Sequence, residues 1–198
     1  MNNIKVSVII PCFNSSLTIE KSLNSVINQD FNDFEVILID NHSTDNTVSI
    51  ADEILSNSNI SYKISVNNEN KGQSFSRNKG INLAEGNYLI FVDSDDTIAS
   101  NHISNLFNNI NSTNQASFVK LIKVDEDFNY LSKSNEYNNL LSLKTEDNTI
   151  SNNVFSIDSK ELIKLELLMR IPFSFTQLIY NKEIITENNI RFNESVSY

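Results

Sequence analysis

Two periodicities alternate through the first half of the chain. Lys5 to Ile10, Glu35 to Ile39, Tyr62 to Val66 and Tyr88 to Val92 are short runs rich in β-branched and aromatic residues, each closed by a polar cluster. They predict four strands. Between them, Thr18 to Asn28, Asp45 to Ser56 and Ser74 to Glu85 place apolar residues at helical spacing, as at Ile19, Leu23, Val26 and Ile27. Asp45 or Thr44 stands where a cap for the second helix belongs. Strand and helix alternating at this spacing require crossover connections, so the expected fold class is α/β, a doubly wound and mostly parallel sheet flanked by helices. Ligands of such sheets collect at the carboxyl ends of the strands, near the switch point, which directs attention to the polar clusters there.

Beyond residue 100 the pattern loosens. His102 to Ile110 reads as a helix and Ala116 to Val124 as a strand, while Asp125 to Asn153 is polar and loop-like. Helical spacing returns over Ser159 to Arg170. A short apolar run, Gln177 to Tyr180, then precedes a helix at Lys182 to Glu187. No repeat or domain boundary is visible, so residues 1–198 are taken as one domain with halves at 1–110 and 111–198.

A length of 198 residues is enough to bury a core without disulfides. Fifteen basic against 25 acidic residues give a net charge of −10, which excludes general nucleic-acid binding and requires local cations, metal or helix ends wherever a phosphate is held. The single cysteine, Cys12, has no internal partner and reads as a small buried apolar residue. No apolar stretch approaches the ~20 residues of a transmembrane segment, no secretory signal opens the chain, and a cytoplasmic protein is expected. Glycine is scarce, with three residues, whereas roughly one residue in six is Asn, well above ordinary usage. Asn tolerates the left-handed region and can make turns that glycine normally would.

Four clusters carry candidate chemistry. Phe91-Val92-Asp93-Ser94-Asp95-Asp96 sets three carboxylates at a strand end, where their mutual repulsion calls for a cation. Asp93 and Asp95 could offer oxygen ligands to Mg²⁺ or Mn²⁺, hard cations that bridge to diphosphate. An acidic turn capping the next helix would use the same residues. In Asp40-Asn41-His42-Ser43-Thr44-Asp45, Asp40 could accept from a ribose hydroxyl or a base N–H, or the whole could be a capping loop. His42 reads as a solvated loop histidine. After the first strand, Pro11-Cys12-Phe13-Asn14 offers Phe13 for base stacking and Asn14 to fix the loop, or a plain turn with a core aromatic. Finally, Asn70-Lys71-Gly72 and Arg77-Asn78-Lys79-Gly80 supply cations that an acidic diphosphate-binding protein needs, or only helix surface charge.

The order of these clusters resembles the family-two glycosyltransferases of the GT-A fold. The matching stretches are Val6 to Asn14, Gln29 to Val36, Ile39 to Asp45, Asn70 to Gly80 and Ala84 to Asp96, so most of residues 4–110 is covered. The resemblance implies a nucleotide-sugar donor, a UDP-sugar being the first expectation, bound across these loops in the 1–110 half. Pro11, Phe13 and Asp40 would line the nucleoside pocket and Asp93 would reach the ribose and metal, with Asn14, Asn41 and Ser94 among the donor-binding residues. Asp95 would complete the Mn²⁺ or Mg²⁺ site, with Lys71 and Arg77 as further donor contacts and Asp96 either a sugar-hydroxyl contact or part of the loop structure. The acceptor would be a saccharide or a lipid-linked glycan of surface polysaccharide synthesis, met by the 111–198 half, in the cytoplasm or at the inner face of the membrane. Transfer would be metal-dependent and inverting. Two departures stand out: Asn41 replaces the second Asp of its motif, and His42 replaces a glycine. Glu187 to Glu194 resembles the segment that precedes the family's Glu-Asp pair, so no residue is assigned as general base, which is expected beyond Tyr198. The alternative is a non-catalytic nucleotide-sugar-binding or partner domain.

Overall fold

The computed structural model describes residues 4–110, 116–119, 150–151, 154–157 and 178–195. The elements run β1 (Val6–Cys12), α1 (Ile19–Ile27), β2 (Phe34–Asp40), α2 (Thr47–Ser56), β3 (Ser61–Val66), α3 (Gly72–Leu83), β4 (Tyr88–Phe91) and α4 (His102–Asn108). They continue with β5 (Ala116–Val119), β6 (Ile150–Ser151), β7 (Val154–Ile157), β8 (Leu178–Asn181) and α5 (Lys182–Glu187). The chain divides into two compact units, one holding Met1–Ser104 and Tyr180–Tyr198, the other Asn105–Ile179. Thus the carboxyl-terminal stretch, placed by sequence with the second half, belongs with the first unit.

In the first unit β1 pairs in parallel with β2 from Val6–Phe34 to Cys12–Asp40 and with β4 from Val6–Tyr88 to Ile9–Phe91, and β2 pairs in parallel with β3. The strand order is β3-β2-β1-β4, followed by β8. Every residue of β1 and β2 is buried, as a sheet covered on both faces requires, whereas β3 is partly exposed. The chain steps outward from β1 to β2 to β3 and then returns to the far side of β1 for β4. With right-handed crossovers, this reversal puts α3 on the face opposite α1 and α2 and makes the gap between β1 and β4 the switch point. On the α3 face, Ile9, Ile37, Ile39, Leu89 and Phe91 pack with Ile81, Ala84 and Ile185, and Tyr180 and Phe192 close the cluster. Val8, Ile10, Val36 and Leu38 point the other way and are equally buried.

Pro11 sits inside a central strand without disrupting it. The Asn41 N–H donates to the Cys12 carbonyl on the β2 side, and the Val92 N–H donates to the Ile9 carbonyl on the β4 side. Alternation therefore turns the Pro11 nitrogen toward β4, past the point where β4 has ended, so the missing N–H leaves no gap in the ladder. In the second unit β5 and β7 pair antiparallel from Ala116–Ile157 to Val119–Val154, and β6 adds to β7.

The elements differ from the sequence reading mainly at their ends. α3 begins at Gly72 and not Ser74, and β1 extends to Cys12, while β4 stops at Phe91 because Val92 already turns into the acidic loop. The cap residue of α2 is Asn46, whose side chain makes no cap bond; Asp45 does that work from one position earlier, accepting from the Thr47 N–H at 3.0 Å. Ile150–Ser151 form a strand within the stretch expected to be loop. The helix expected at Ser159 to Arg170 and most of the Asp125 to Asn153 loop lie outside the described residues.

Candidate functional site

Parallel pairing carries the ends of β1, β2 and β4 to one edge of the sheet, and hydrogen bonds between side chains and backbone join their loops into a rim. Asn14 holds a left-handed backbone, φ 48°, and binds the β2 loop twice. Its N–H donates to Ser43 Oγ at 2.8 Å and its Oδ1 accepts from the Thr44 N–H at 2.8 Å. The Ser15 N–H donates to Thr47 Oγ1 and the Ser16 N–H to Asp45 Oδ2. On the other side, Ser15 Oγ and Ser94 Oγ lie 2.8 Å apart. Burial would raise the Asp45 pKa, but the Thr47 and Ser16 donors outweigh it and hold that carboxyl at about 2. The β1 loop is thus strapped to both neighbours, which leaves the Phe13 ring 45% exposed at its tip.

The β2 loop turns its polar groups inward. Asp40 is buried, accepting from the Ser43 N–H at 2.9 Å and from the Cys12 thiol at 3.6 Å. Burial and then the Asp40 charge push the Cys12 thiol far up, consistent with an inert core cysteine. Asn41 is buried too. Its Nδ2 donates to Asn70 Oδ1 at 2.6 Å, and its Oδ1 accepts from Asn67 Nδ2 and from the Lys71 N–H. It staples the ends of β2 and β3 to the turn that opens α3, a role an amide fills because it donates and accepts at once. His42 has φ 70°, the conformation that explains glycine at this place in the motif, and its Nδ1 lies 3.3 Å from the Asn67 carbonyl.

The third wall is α3, whose inner face is polar: Ser76, Arg77 and Asn78 are buried beside Gly80 and Ile81. Arg77 Nη2 donates to Asp93 Oδ1 at 2.8 Å, and Gln73 Nε2 donates to the same oxygen at 3.0 Å. The Ser22 hydroxyl donates to the Asp93 carbonyl, and the Asp96 N–H closes a turn onto that carbonyl at 3.0 Å. Asp93 is therefore oriented from two helices. Asp95 is exposed. Asp96 has its pKa raised by burial and then by the charges of Asp93 and Asp95. Lys71 stays accessible, paired with Glu69 at 3.2 Å and lying over the Phe75 ring.

Of the expected site residues, Pro11 is buried within β1, while Phe13, Asn14, Asp93, Ser94, Asp95 and Asp96 stand in the loops of the rim. Asp40 and Asn41 lie beneath it with their polar atoms engaged, and Arg77 is spent on Asp93. Sequence reading overlooked Ser15, Ser22 and Gln73, and assigned no role to Asn78 or Phe192, although both stand in stretches that carry the resemblance. The available signal was α3 itself, where hydrophilic residues occupy positions that helical spacing assigns to the core. Among the described residues no helix is long and apolar enough to cross a membrane.

A family model described as "Glycosyl transferase family 2" matches residues 7–171. Over 108 residues, 54% of its length, the chain is 35% identical to the GalNAc(5)-diNAcBac-PP-undecaprenol beta-1,3-glucosyltransferase of Campylobacter jejuni, covering 35% of that protein. It is 41% identical over 97 residues, 48% of its length, to the poly(ribitol-phosphate) beta-N-acetylglucosaminyltransferase TarS of Staphylococcus aureus, covering 17% of it. A solved 1–349 fragment of S. aureus TarS in complex with UDP is similar over 98% of this chain and 51% of the fragment, with a TM-score of 0.71 and 27% identity. The same fragment in complex with UDP-GlcNAc gives 0.68 and 26%, over 96% of this chain and 48% of the fragment. The chain thus spans only part of the proteins it matches.

Proposed function

Because the chain belongs to glycosyl transferase family 2, we propose that it takes a sugar from a UDP-sugar and passes it to a saccharide or lipid-linked acceptor in surface polysaccharide assembly. The observation that carries this reading is the turn after β4, where Asp93 is fixed by Arg77 and Gln73 beside an exposed Asp95, on the rim that also presents Phe13. UDP and UDP-GlcNAc bound to the similar TarS fragment support the nucleotide.

Asp93 and Asp95 suit Mn²⁺ or Mg²⁺. Both are hard oxygen donors, and Asp95 is exposed beside an Asp93 held by Arg77 and Gln73. Asp93 and Asp95 would hold such an ion beside the donor's diphosphate. When bound, the cation would neutralise charge developing on the departing diphosphate. The chain's own residues do the rest. Arg77, Gln73 and Ser22 hold Asp93 in place, Ser15 holds Ser94, Phe13 offers a ring face to the base, and Lys71 supplies an accessible ammonium for the phosphates. In an inverting transfer the acceptor oxygen attacks the anomeric carbon as the bond to the diphosphate oxygen breaks, and a carboxylate takes the acceptor proton. Glu194 is not that carboxylate in this reading, since its Oε1 accepts from Asn78 Nδ2 at 2.7 Å. Lipid-linked acceptors would be met at the inner face of the membrane.

Calorimetric titration of UDP with and without Mn²⁺ tests the assignment. Binding that requires the metal is expected, and no metal-dependent binding of UDP or of any other nucleoside diphosphate would overturn it.

A further inference from the structure

After α5 the chain turns back along α3, with a left-handed residue at Asn189, φ 50°. Asn78 reads the backbone of this returning segment at one residue. Its Nδ2 donates to the Phe192 carbonyl at 3.0 Å and its Oδ1 accepts from the Phe192 N–H at 2.9 Å, as a neighbouring strand would. The same Nδ2 also reaches Glu194 Oε1. Asn78 is buried, so this grip works away from competing water. What it holds in place is the Phe192 ring. That ring meets Phe91, the last residue of β4, edge-on at 5.2 Å between centroids and 81°. It also lies 5.3 Å from the Arg77 guanidinium carbon, within cation–π range. Arg77 in turn donates to Asp93. An unbroken series of contacts therefore runs from the segment at 188–195 through one aromatic ring to the carboxylate on the rim.

We infer that Phe192, seated by Asn78, is a positioning residue: it holds the Arg77 guanidinium so that Arg77 aims the Asp93 carboxylate at the donor's cation. The inference rests on the donor-binding reading of Asp93 for its functional consequence, but not for its first step, the immobilisation of Arg77. Arg77 is long and would carry large rotamer freedom were it not packed in place; it is buried and bound to Asp93 Oδ1. A ring face beside the guanidinium limits such freedom further and adds cation–π attraction. A carboxylate with a fixed partner keeps one oxygen occupied and turns the other in a constant direction, which is what a metal ligand requires.

The test compares Phe192→Leu, which keeps apolar bulk and loses the ring, with Phe192→Tyr, which keeps both. Each is measured by calorimetry of UDP with Mn²⁺ and by nitrogen NMR of the arginine side chains. Phe192→Leu should weaken Mn²⁺-dependent UDP binding by roughly 2- to 30-fold, which is a cation–π attraction of about 0.5–2 kcal/mol converted at about 1.4 kcal/mol per tenfold. It should also merge the separate Nη resonances expected for a guanidinium whose rotation is blocked. Phe192→Tyr should restore both. Asn78→Ala should act like Phe192→Leu, because it unseats the same ring. A role in packing alone would let the leucine variant behave as wild type in both measurements, and that result would overturn the inference while leaving the donor site standing. If the wild type shows no metal-dependent UDP binding yet Phe192→Leu still frees the Arg77 side chain, the holding of Arg77 is supported and the donor-site reading falls.

Discussion

The two ends of one parallel sheet treat carboxylates in opposite ways. At the amino edge Glu35 is buried at the start of β2 and surrounded by donors. Ser7 Oγ at 2.7 Å and the Glu85 N–H at 2.6 Å bind Oε1, and Lys63 Nζ binds Oε2 at 3.0 Å. Burial alone would raise its pKa, but the Ser7, Glu85 and Lys63 interactions outweigh that and lower it. At the carboxyl edge Asp93, Asp95 and Asp96 share fewer donors, and the Asp96 pKa goes up. The amino edge is complete in itself. At the carboxyl edge Asp95 is exposed, and the ionised form of Asp96 is disfavoured by burial and by its two acidic neighbours, so the two edges differ in how their carboxylates are matched and not in how many they hold.

Glu35→Ala gives the largest contrast. It strands the Ser7 hydroxyl and the Glu85 N–H inside the protein, at about 1–3 kcal/mol for each unsatisfied group. Urea denaturation should show a loss on the order of 3 kcal/mol. Gly86 belongs to the same edge: its N–H donates to Ser7 Oγ, and a Cβ there would meet the Ser7 nitrogen and the Val6 carbonyl carbon at 2.7 Å. Since backbone atoms cannot step aside, Gly86→Ala should cost up to about 3 kcal/mol.

Asp95→Asn probes the opposite edge. It should reduce Mn²⁺-dependent UDP affinity at least about 100-fold, the upper end of what changes around a metal ligand cost, while the urea midpoint stays within about 0.5 kcal/mol of wild type. A comparable loss of stability in this variant would erase the distinction between the two edges.

The smallest effects are in the pH dependence. Glu35 has a folded pKa below its ordinary 4.5, so its stabilisation is present above pH 4.5 and is lost as pH falls through the lowered value. Asp96 has the reverse sign. Its folded pKa lies above the ordinary 3.8, so its ionised form opposes folding at neutral pH and protonation relieves that cost as pH falls. Glu35→Gln should flatten the acid limb of a thermal-melt profile. Asp96→Asn should raise the melting temperature slightly at neutral pH, by less than about 1 kcal/mol in stability, and remove the small gain on mild acidification.

Much of the first unit was legible because its signals are local. The all-apolar runs of β1 and β2, the spacing of Ile19, Leu23 and Val26, and the polar clusters closing each strand do not depend on distant partners. Asn14 and Asn189 at positive φ show asparagine making turns in a glycine-poor chain, as expected from composition. Arg77 was less legible. Its charge fits a phosphate contact as well as an ion pair, and only folding sets it against a carboxylate sixteen positions away. Asn41 read as a base contact by its place in the motif, yet its amide is taken up by Asn67, Asn70 and Lys71. Phe192 was visible only as part of a segment resembling the family's, because a lone aromatic after a short helix has no periodicity to betray what it faces.

The order of strands and helices, the parallel sheet and the edge at which the carboxylates gather were determined by the chain itself, through periodicity and the handedness of crossovers. Only the tertiary structure decided which of the polar residues face solvent and which are consumed in holding others. Asn78 gripping Phe192 across 114 positions belongs to that second kind. The physical reason is that a side chain's period and charge are its own, whereas its hydrogen-bond partner and its exposure belong to whatever the fold brings beside it.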